Sequence, residues 1–472
     1  MAGWGSIYNN AMWGISYHTN NLARLQEQIS SGSKVIRYSD DPANAYRIAT
    51  LADTAKSMDE YASNIGIVEA SLNGADNAMS SMSDLITRAD VLITQASSGT
   101  YQGENRLAMG EEIDSILEQM IGLANHKVLS KYIFAGADSQ NAPYSVTREN
   151  GKIASVTYEG SQAEQPVPVA PGVNFSGQLV GDAIFRSNRR REPELLGNTG
   201  AAGGVGTSNV RGDIWLDVGH TTTDFNTAAT GLTAGTSSGP DDTILGAHSV
   251  TIDTVAQTIS LDGGDAVSYL GTETNLQLTN SSGDVAHVDV TGALVTGTFN
   301  ITGNGELSIN NGPASAIDFT DDNISVTNPD TGRFLYIDGQ NITRAGSEAV
   351  RVPGTGDLFN TLVHVRDMML NTRGLSTEEQ TNHLTRAGES LGEISNTFRQ
   401  RITIVGGRLG GLDQFSKTIE TLSYNNTSQA SSLQEADIVE LATELARSQT
   451  LYQASLQVAG KALSLSLMDY IK

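Results

Sequence analysis

The residue types that do most enzymatic and metal chemistry are scattered along this chain. It has no cysteine, which excludes disulfides, zinc–thiolate centres and thiol nucleophiles together. Seven histidines stand at positions 18, 126, 220, 248, 287, 364 and 383, and none forms a His-x-His or His-x-x-x-His pair. Zinc needs donors that converge, and this spacing offers none. Asp241-Asp242 and Asp321-Asp322 sit among Gly, Pro and Asn without the regular oxygen spacing of a calcium loop, and read as solvated turns. Gly203-Gly204-Val205-Gly206 follows no clear strand and opens no helix-forming run, as a phosphate cradle requires. No Gly-x-Ser-x-Gly elbow stands out. The expectation is a chain that is not an enzyme, with no cofactor and no metal.

Three short matches invite function but are common by chance. Arg211-Gly212-Asp213 is a cell-adhesion tripeptide, and Asn280, Asn300, Asn323 and Asn341 open Asn-x-Ser/Thr triplets. Arg189-Arg190-Arg191 is followed by Glu192 and Glu194, and reads as a solvated loop rather than an anion site.

The bulk composition narrows the class. A length of 472 residues suggests two to four domains, and 38% hydrophobic with 17% charged residues supports globular folding. The net charge of −24 repels phosphate backbones, so no nucleic-acid partner is expected. No run of 18 apolar residues occurs, so no membrane insertion is expected. The first residues lack a basic region and an apolar core, so a conventional secretory signal is not expected and export would need a specialised route.

Proline placement locates the elements that could position anything. None of the ten prolines lies between 43 and 142 or after 353, and proline breaks helix interiors. In the first block Leu51, Met58, Ile65, Leu72, Met79, Ile86 and Ile93 recur every seventh residue, with Val68, Ala75, Met82, Ala89 and Ala96 three positions on. That is an a/d seam. The second block repeats it in Leu384, Leu391, Phe398, Val405, Leu412 and Ile419, partnered by Ala387, Ile394, Phe415 and Leu422 and interrupted at Arg401 and Arg408. Gly406-Gly407 and Gly410-Gly411 there mark either a kink or loop, or a close helix–helix approach.

A third helix is predicted over about 104–131 from Ile113, Ile116, Met120 and Leu123. Near the start Ile15, Leu22, Leu25 and Ile29 share a face. Near the end Ile438, Leu441, Leu445, Tyr452 and Leu456 do so, with Leu463 and Leu467 further on. Two seams at opposite ends of one chain predict that the ends pair.

The centre, about 140–350, carries short β-type runs. Segments 144–148 and 153–158 flank Asn150-Gly151, a type I′ hairpin signal. Further runs fall at 249–253, 275–279, 287–290, 298–301 and 333–337, and 197–209 reads as a Gly-rich loop or linker. Antiparallel β modules are expected, one domain or two.

Residues 29–48, ISSGSKVIRYSDDPANAYRI, resemble the N-terminal signature of the bacterial flagellin family. Gly32 can end one helix, Asp40 or Asp41 can cap the next, and Pro42 fits its first turn. Residues 436–471 resemble the same family's terminal helix. Within the family, KYIFAGADSQNAPY at 131–144, Gly181-Asp182-Ala183-Ile184-Phe185 and the ending Leu467-Met468-Asp469-Tyr470-Ile471 resemble the hook–filament junction branch.

The resemblance implies an α+β multidomain fold: a long antiparallel coiled coil or helical bundle made by both chain ends, with a central antiparallel β-rich insert. Residues 1–40 with 433–472 would form an inner terminal helix pair that orders on assembly. Residues 41–150 with 345–432 would form a helical bundle plus hairpin, and 151–344 an outer insert. It implies a structural subunit of the flagellum that joins hook to filament by helical polymerisation, exported through the type III pathway. The implied partners are the other hook-associated junction protein, flagellin, copies of the chain in a ring and an export chaperone. The rivals are a filament flagellin, a coiled-coil surface adhesin that recruits Arg211-Gly212-Asp213, and an enzymatic insert using His220, His248 and His287.

Overall fold

The computed structural model describes residues 4–98, 101, 103–239 and 241–470, with side chains described over 9–461 of these. Eight helices lie among the described residues: α1 (Trp4–Ser31), α2 (Pro42–Ser97), α3 (Glu104–Ala124), α4 (Gly181–Phe185), α5 (Thr227–Thr230), α6 (Leu358–Leu370), α7 (Thr377–Gln434) and α8 (Ile438–Tyr470). The architecture is helical at both ends with antiparallel β structure between. The residues divide into two compact units.

The first unit comprises Met1–Ala70, Pro166–Gly177 and Arg408–Lys472. Here α1 arrives at, and α8 departs from, one stitched joint, so the two run antiparallel. Ser33 bridges Glu435, the Lys34 N–H donates to the Gln434 carbonyl at 2.7 Å, and the Ala436 N–H donates to the Gly32 carbonyl at 3.1 Å. Gly32 makes this exit at φ +66, a conformation glycine adopts without strain. A small hairpin, Val167–Ala170 with Val173–Phe175, also belongs here. The Asn64 amide donates to the Pro168 carbonyl at 2.9 Å, and Phe175 meets Phe415 edge-on at 5.9 Å.

The second unit comprises Ser71–Gln165 and Gln178–Gly407. In its helical part the seam residues Leu72, Met79, Ile86 and Ile93 of α2 and Leu384, Leu391, Phe398 and Val405 of α7 are all buried. α7 starts on a capping box, in which Ser376 N–H donates to Glu379 at 3.0 Å and Glu379 N–H to Ser376 Oγ at 3.3 Å. The double-glycine positions 406–407 and 410–411 lie within the unbroken helix, so no loop forms.

The helix predicted over 104–131 ends at Ala124. The Asn125 amide donates to the Tyr144 carbonyl at 2.9 Å and its side-chain oxygen accepts the Tyr144 N–H at 3.0 Å, which turns the chain away. Leu129 and Ser130, at φ +50 and +64, then form the tip of a two-stranded turn, Lys127–Val128 with Lys131–Tyr132. The hairpin of Tyr144–Glu149 and Lys152–Tyr158 turns at Asn150 (φ +50) and Gly151 (φ +84), the positive angles a type I′ turn needs.

The β part is one large antiparallel sheet with two small ones. The large sheet runs in the order 267–268, 258–261, 246–253, 297–309, 212–224, 346–352, 194–195, with 315–316 added to 297–309. Strand Gly297–Ile309 alternates buried and exposed side chains over its second half, the period-2 pattern of a strand with one face on a core. Two cores form. One gathers Leu216, Val218, Leu307, Val326, Leu335 and Val350. The other gathers Val250, Ile259, Leu278, Ala286, Val288 and Ile301. Strand Gly297–Ile309 contributes to both, so the large sheet links the two cores.

Segment 197–209 is not a linker. Ala202–Gly203 pairs with the strand Phe334–Asp338, and the buried Glu348 carboxylate accepts the Thr199 N–H at 2.7 Å and its hydroxyl at 2.6 Å. Gly200, at φ +91, packs so closely on Asn341 that a Cβ would lie 1.9 Å from its carbonyl oxygen. A Cβ on Gly204 would likewise meet the Asp322 and Tyr336 backbone at 3.0 Å, so two of these glycines stand where another segment comes close.

Candidate assembly surface

The two acidic residues before Pro42 have separate tasks. Asp40 Oδ2 accepts the backbone N–H groups of Ile36 at 3.1 Å and Arg37 at 2.8 Å, folding the loop. Asp41 Oδ1 accepts the Asn44 N–H at 3.1 Å and so caps α2 in front of Pro42, where the missing donor costs nothing. That hydrogen bond from the Asn44 backbone is the main reason the Asp41 carboxyl sits below its usual range. Asp437 caps α8 in the same way, accepting Val439 N–H at 2.9 Å and Glu440 N–H at 3.1 Å.

The α1–α8 pair has a narrow seam and apolar side chains outside it. Leu25, Ala436 and Leu441 are buried, with Ile29 and Leu445 packed on them. Ile15, Leu22 and Tyr452 are half-buried. Leu456 is 44% exposed and Ile438 51% exposed, so the face they were expected to share is only partly covered within one chain. Trp13 stacks on Tyr17 at 5.6 Å while remaining 71% exposed. Met12, Val439, Leu451 and Val458 are exposed as well. The side chains of Leu463 and Leu467, and all of Ile471, lie outside the described residues.

In the same unit Ile65, Leu412 and Ile419 are buried, Leu51 is half-buried and Leu422 is 43% exposed. The Ser423 hydroxyl donates to Asp59 at 3.0 Å. Tyr46, Arg47, Thr50 and Leu51 of α2 face Gln429, Ser432 and Leu433 of α7 across a groove of about 520 Å³.

In the second unit the fold joins two motifs that were noted separately in the sequence. Ala135 bridges Val180, and the Gly181 N–H donates to the Phe134 carbonyl at 2.9 Å. Phe134 meets Phe185 edge-on at 5.1 Å, and Phe185 stacks on Phe398 of α7 at 5.7 Å. Tyr144 packs against Phe359 at 4.8 Å, and burial pushes its hydroxyl pKa well up; Tyr158 rises to about 12 for the same reason. This aromatic knot anchors the hairpin to α6 and α7.

The candidate chemistry resolves into separate structural pairs. His248 Nδ1 lies 2.7 Å from Asp262, His287 Nδ1 lies 2.8 Å from Asp242, and His220 bonds Thr223 and the Gly239 carbonyl. Asp242 is buried and not a solvated turn residue, because it also accepts the His287 N–H at 2.7 Å. The Arg189–Arg191 segment is the exposed loop expected, tethered where Arg190 donates to the Val210 and Ser208 carbonyls and Arg191 pairs with Glu393. Asp213 of the adhesion tripeptide has its Oδ2 sealed from solvent, so a receptor cannot reach it in this conformation. His364 and His383, 19 positions apart in sequence, flank the Trp215 ring at 5.5 Å each. Among the described residues no group of three His, Asp or Glu gathers to hold a metal, and no helix is long and apolar enough to cross a membrane.

Residues 6–138 match the bacterial flagellin N-terminal helical region. Over that stretch the chain carries a flagellin-type N-terminal region. Its particular resemblance is to flagellar hook-associated protein 3. The Escherichia coli K12 protein of that name is 26% identical over 189 residues, covering 40% of this chain and 58% of the relative. The Salmonella typhimurium LT2 protein is 25% identical over 181 residues, covering 38% and 57%. The chain thus matches somewhat over half the length of these two relatives. A flagellin from Clostridium tyrobutyricum is 23% identical over 117 residues, covering 25% and 31%. The crystal structure of the Legionella pneumophila hook-associated protein 3 superposes at TM-score 0.43 with 16% identity, over 82% of this chain and 98% of that one.

Proposed function

We propose that this chain is a structural subunit of the bacterial flagellum that joins hook to filament, polymerising through its terminal helices. The observation that supports this most is the α1–α8 pair, whose inner seam is filled while Trp13, Tyr17, Leu451, Leu456 and Val458 stay exposed on the described helices. Apolar side chains left uncovered on a capped helix pair suit burial against another subunit. Contacts between subunits then run through residues 1–40 and 433–472. The partners are copies of the same chain in a ring, flagellin on one side and the other hook-associated junction protein on the other. An export chaperone covers the terminal helix before type III export, and the role is mechanical rather than catalytic.

Electron microscopy after salt-induced polymerisation, with and without flagellin seeds, tests the proposal. The expected result is a chain that stays soluble alone and joins onto flagellar pieces. Long filaments of this chain alone would make it a filament flagellin instead.

A further inference from the structure

Asp213 is the second residue of the long strand Gly212–Asp224, directly opposite Arg351 on the strand Gly346–Val352. Its Oδ2 is sealed from solvent and has no hydrogen-bond partner. A small enclosed space beside it is lined by Gly212, Gly354, Gly356, Ser390, Glu393 and Ile394, so the carboxyl sits where the sheet meets α7.

The cation that should balance Asp213 is already committed. Arg351 lies 2.9 Å from Glu389, 3.5 Å from Glu393 and 3.6 Å from Glu194, and its Nε donates to Ser390 Oγ at 2.8 Å. Glu393 also pairs with Arg191 and accepts the Gly354 N–H at 3.1 Å, and Glu389 lies 3.3 Å from Arg386. Four carboxylates, from strands 194–195 and 212–224 and from α7, thus share three guanidiniums, and Asp213 is the one among them with a sealed, unpartnered oxygen. A sealed carboxyl in that position favours its neutral form.

We propose that Asp213 is a proton-operated latch: protonated, it seats the sheet on α7, and on ionisation it loosens that joint. The device makes attachment of the β part to the long helix respond to pH. Burial is the main cause that lifts the Asp213 carboxyl to about 6, with Glu393 adding to it against the opposing pull of Arg351 and Ser390. The ordinary value is 3.8. A group whose pKa is higher in the closed joint than in the open one holds the joint shut at low pH. That hold fades as pH rises from about 4 and is gone above about 6. Two pKa units correspond to about a hundredfold in the opening equilibrium.

Hydrogen exchange of the full chain, followed by mass spectrometry between pH 4 and 8 and corrected for intrinsic exchange, tests the latch. The ratio of wild-type to Asp213→Asn protection in peptides covering 212–224 and 346–356 is expected to fall about a hundredfold as pH rises. Titrations common to both proteins, that of His364 beside Trp215 included, cancel in that ratio. Parallel curves for the two proteins would overturn the proposal. Should Asp213→Asn not fold, Glu393→Gln serves, since removing a neighbouring negative charge must move the midpoint to lower pH. An unmoved midpoint there would equally overturn it.

Discussion

Arg106 and Gln380 stand 274 residues apart in sequence, yet Arg106 Nη1 donates to Gln380 Oε1 at 2.6 Å in the interior of the second unit. Arg106 Nε also donates to the Ala96 carbonyl at 3.0 Å and its Nη2 to Thr381 Oγ1 at 2.8 Å, while the Gln380 amide donates to the Met368 carbonyl at 2.6 Å. One buried guanidinium therefore ties the end of α2 and the start of α3 to the start of α7, and Gln380 adds the end of α6.

Gln380→Ala leaves that guanidinium short of an acceptor. Hydrogen bonds to charged groups contribute about 1.5–3 kcal/mol, and this variant is expected to lose that much, read as a lower urea midpoint with an unchanged slope. A midpoint within error of the wild type would mean that water replaces the bond.

Seam and surface residues should separate folding from assembly. Leu391 is fully buried, so Leu391→Ala is expected to cost about 2–5 kcal/mol of stability. Leu456 is 44% exposed, so Leu456→Ser should change stability by no more than about 0.5 kcal/mol. It should nevertheless impair joining to flagellar pieces. A Leu456→Ser chain that assembles normally would remove α8 from the proposed contact.

Gly181 has no room for a methyl group. A Cβ there would lie 2.7 Å from the Tyr144 hydroxyl and 2.9 Å from the Phe134 carbonyl, and the latter is backbone held by its own hydrogen bond. Gly181→Ala should therefore cost about 1–3 kcal/mol and raise hydrogen exchange in the 144–158 hairpin. Unchanged exchange would show that the aromatic knot adjusts freely.

The Trp215 cluster predicts an acid-side loss of stability. Burial is the main cause that depresses the His364 pKa from 6.5 to about 4, with Asp367 opposing and Arg373 assisting. The unfolded chain then binds the proton more readily between those values. Stability is fully present above about 6.5 and falls as pH drops toward 4, by about 3 kcal/mol in total. The difference in urea midpoint between wild type and His364→Phe should change across that window. A constant difference from pH 4 to 8 would refute the assignment.

Local chemistry was readable from the sequence. The heptad positions Leu72, Met79, Leu384 and Leu391 announced long helices because helix period and apolar spacing coincide. Asn150-Gly151 announced a hairpin because few other pairs accept two positive φ angles. Asp40-Asp41-Pro42 announced a loop and a cap, though only the fold shows that Asp41 caps and Asp40 ties the loop. For 197–209 the sequence left loop or linker open, and the fold decides for a tied-down loop, since glycine signals either looseness or close approach and composition does not tell them apart.

What the sequence by itself determined is thus the long helices at both ends, the hairpin and the β character of the centre, but not the short helix Leu358–Leu370. Each of these is encoded within a few turns of chain. The tertiary structure alone decided the strand order of the large sheet, the sealing of Asp213 Oδ2, the burial of Asp242, the meeting of Arg106 with Gln380 and the gathering of His364 and His383 on Trp215. Those partners lie tens to hundreds of residues apart, and no local period or turn records which distant segment a buried side chain will face.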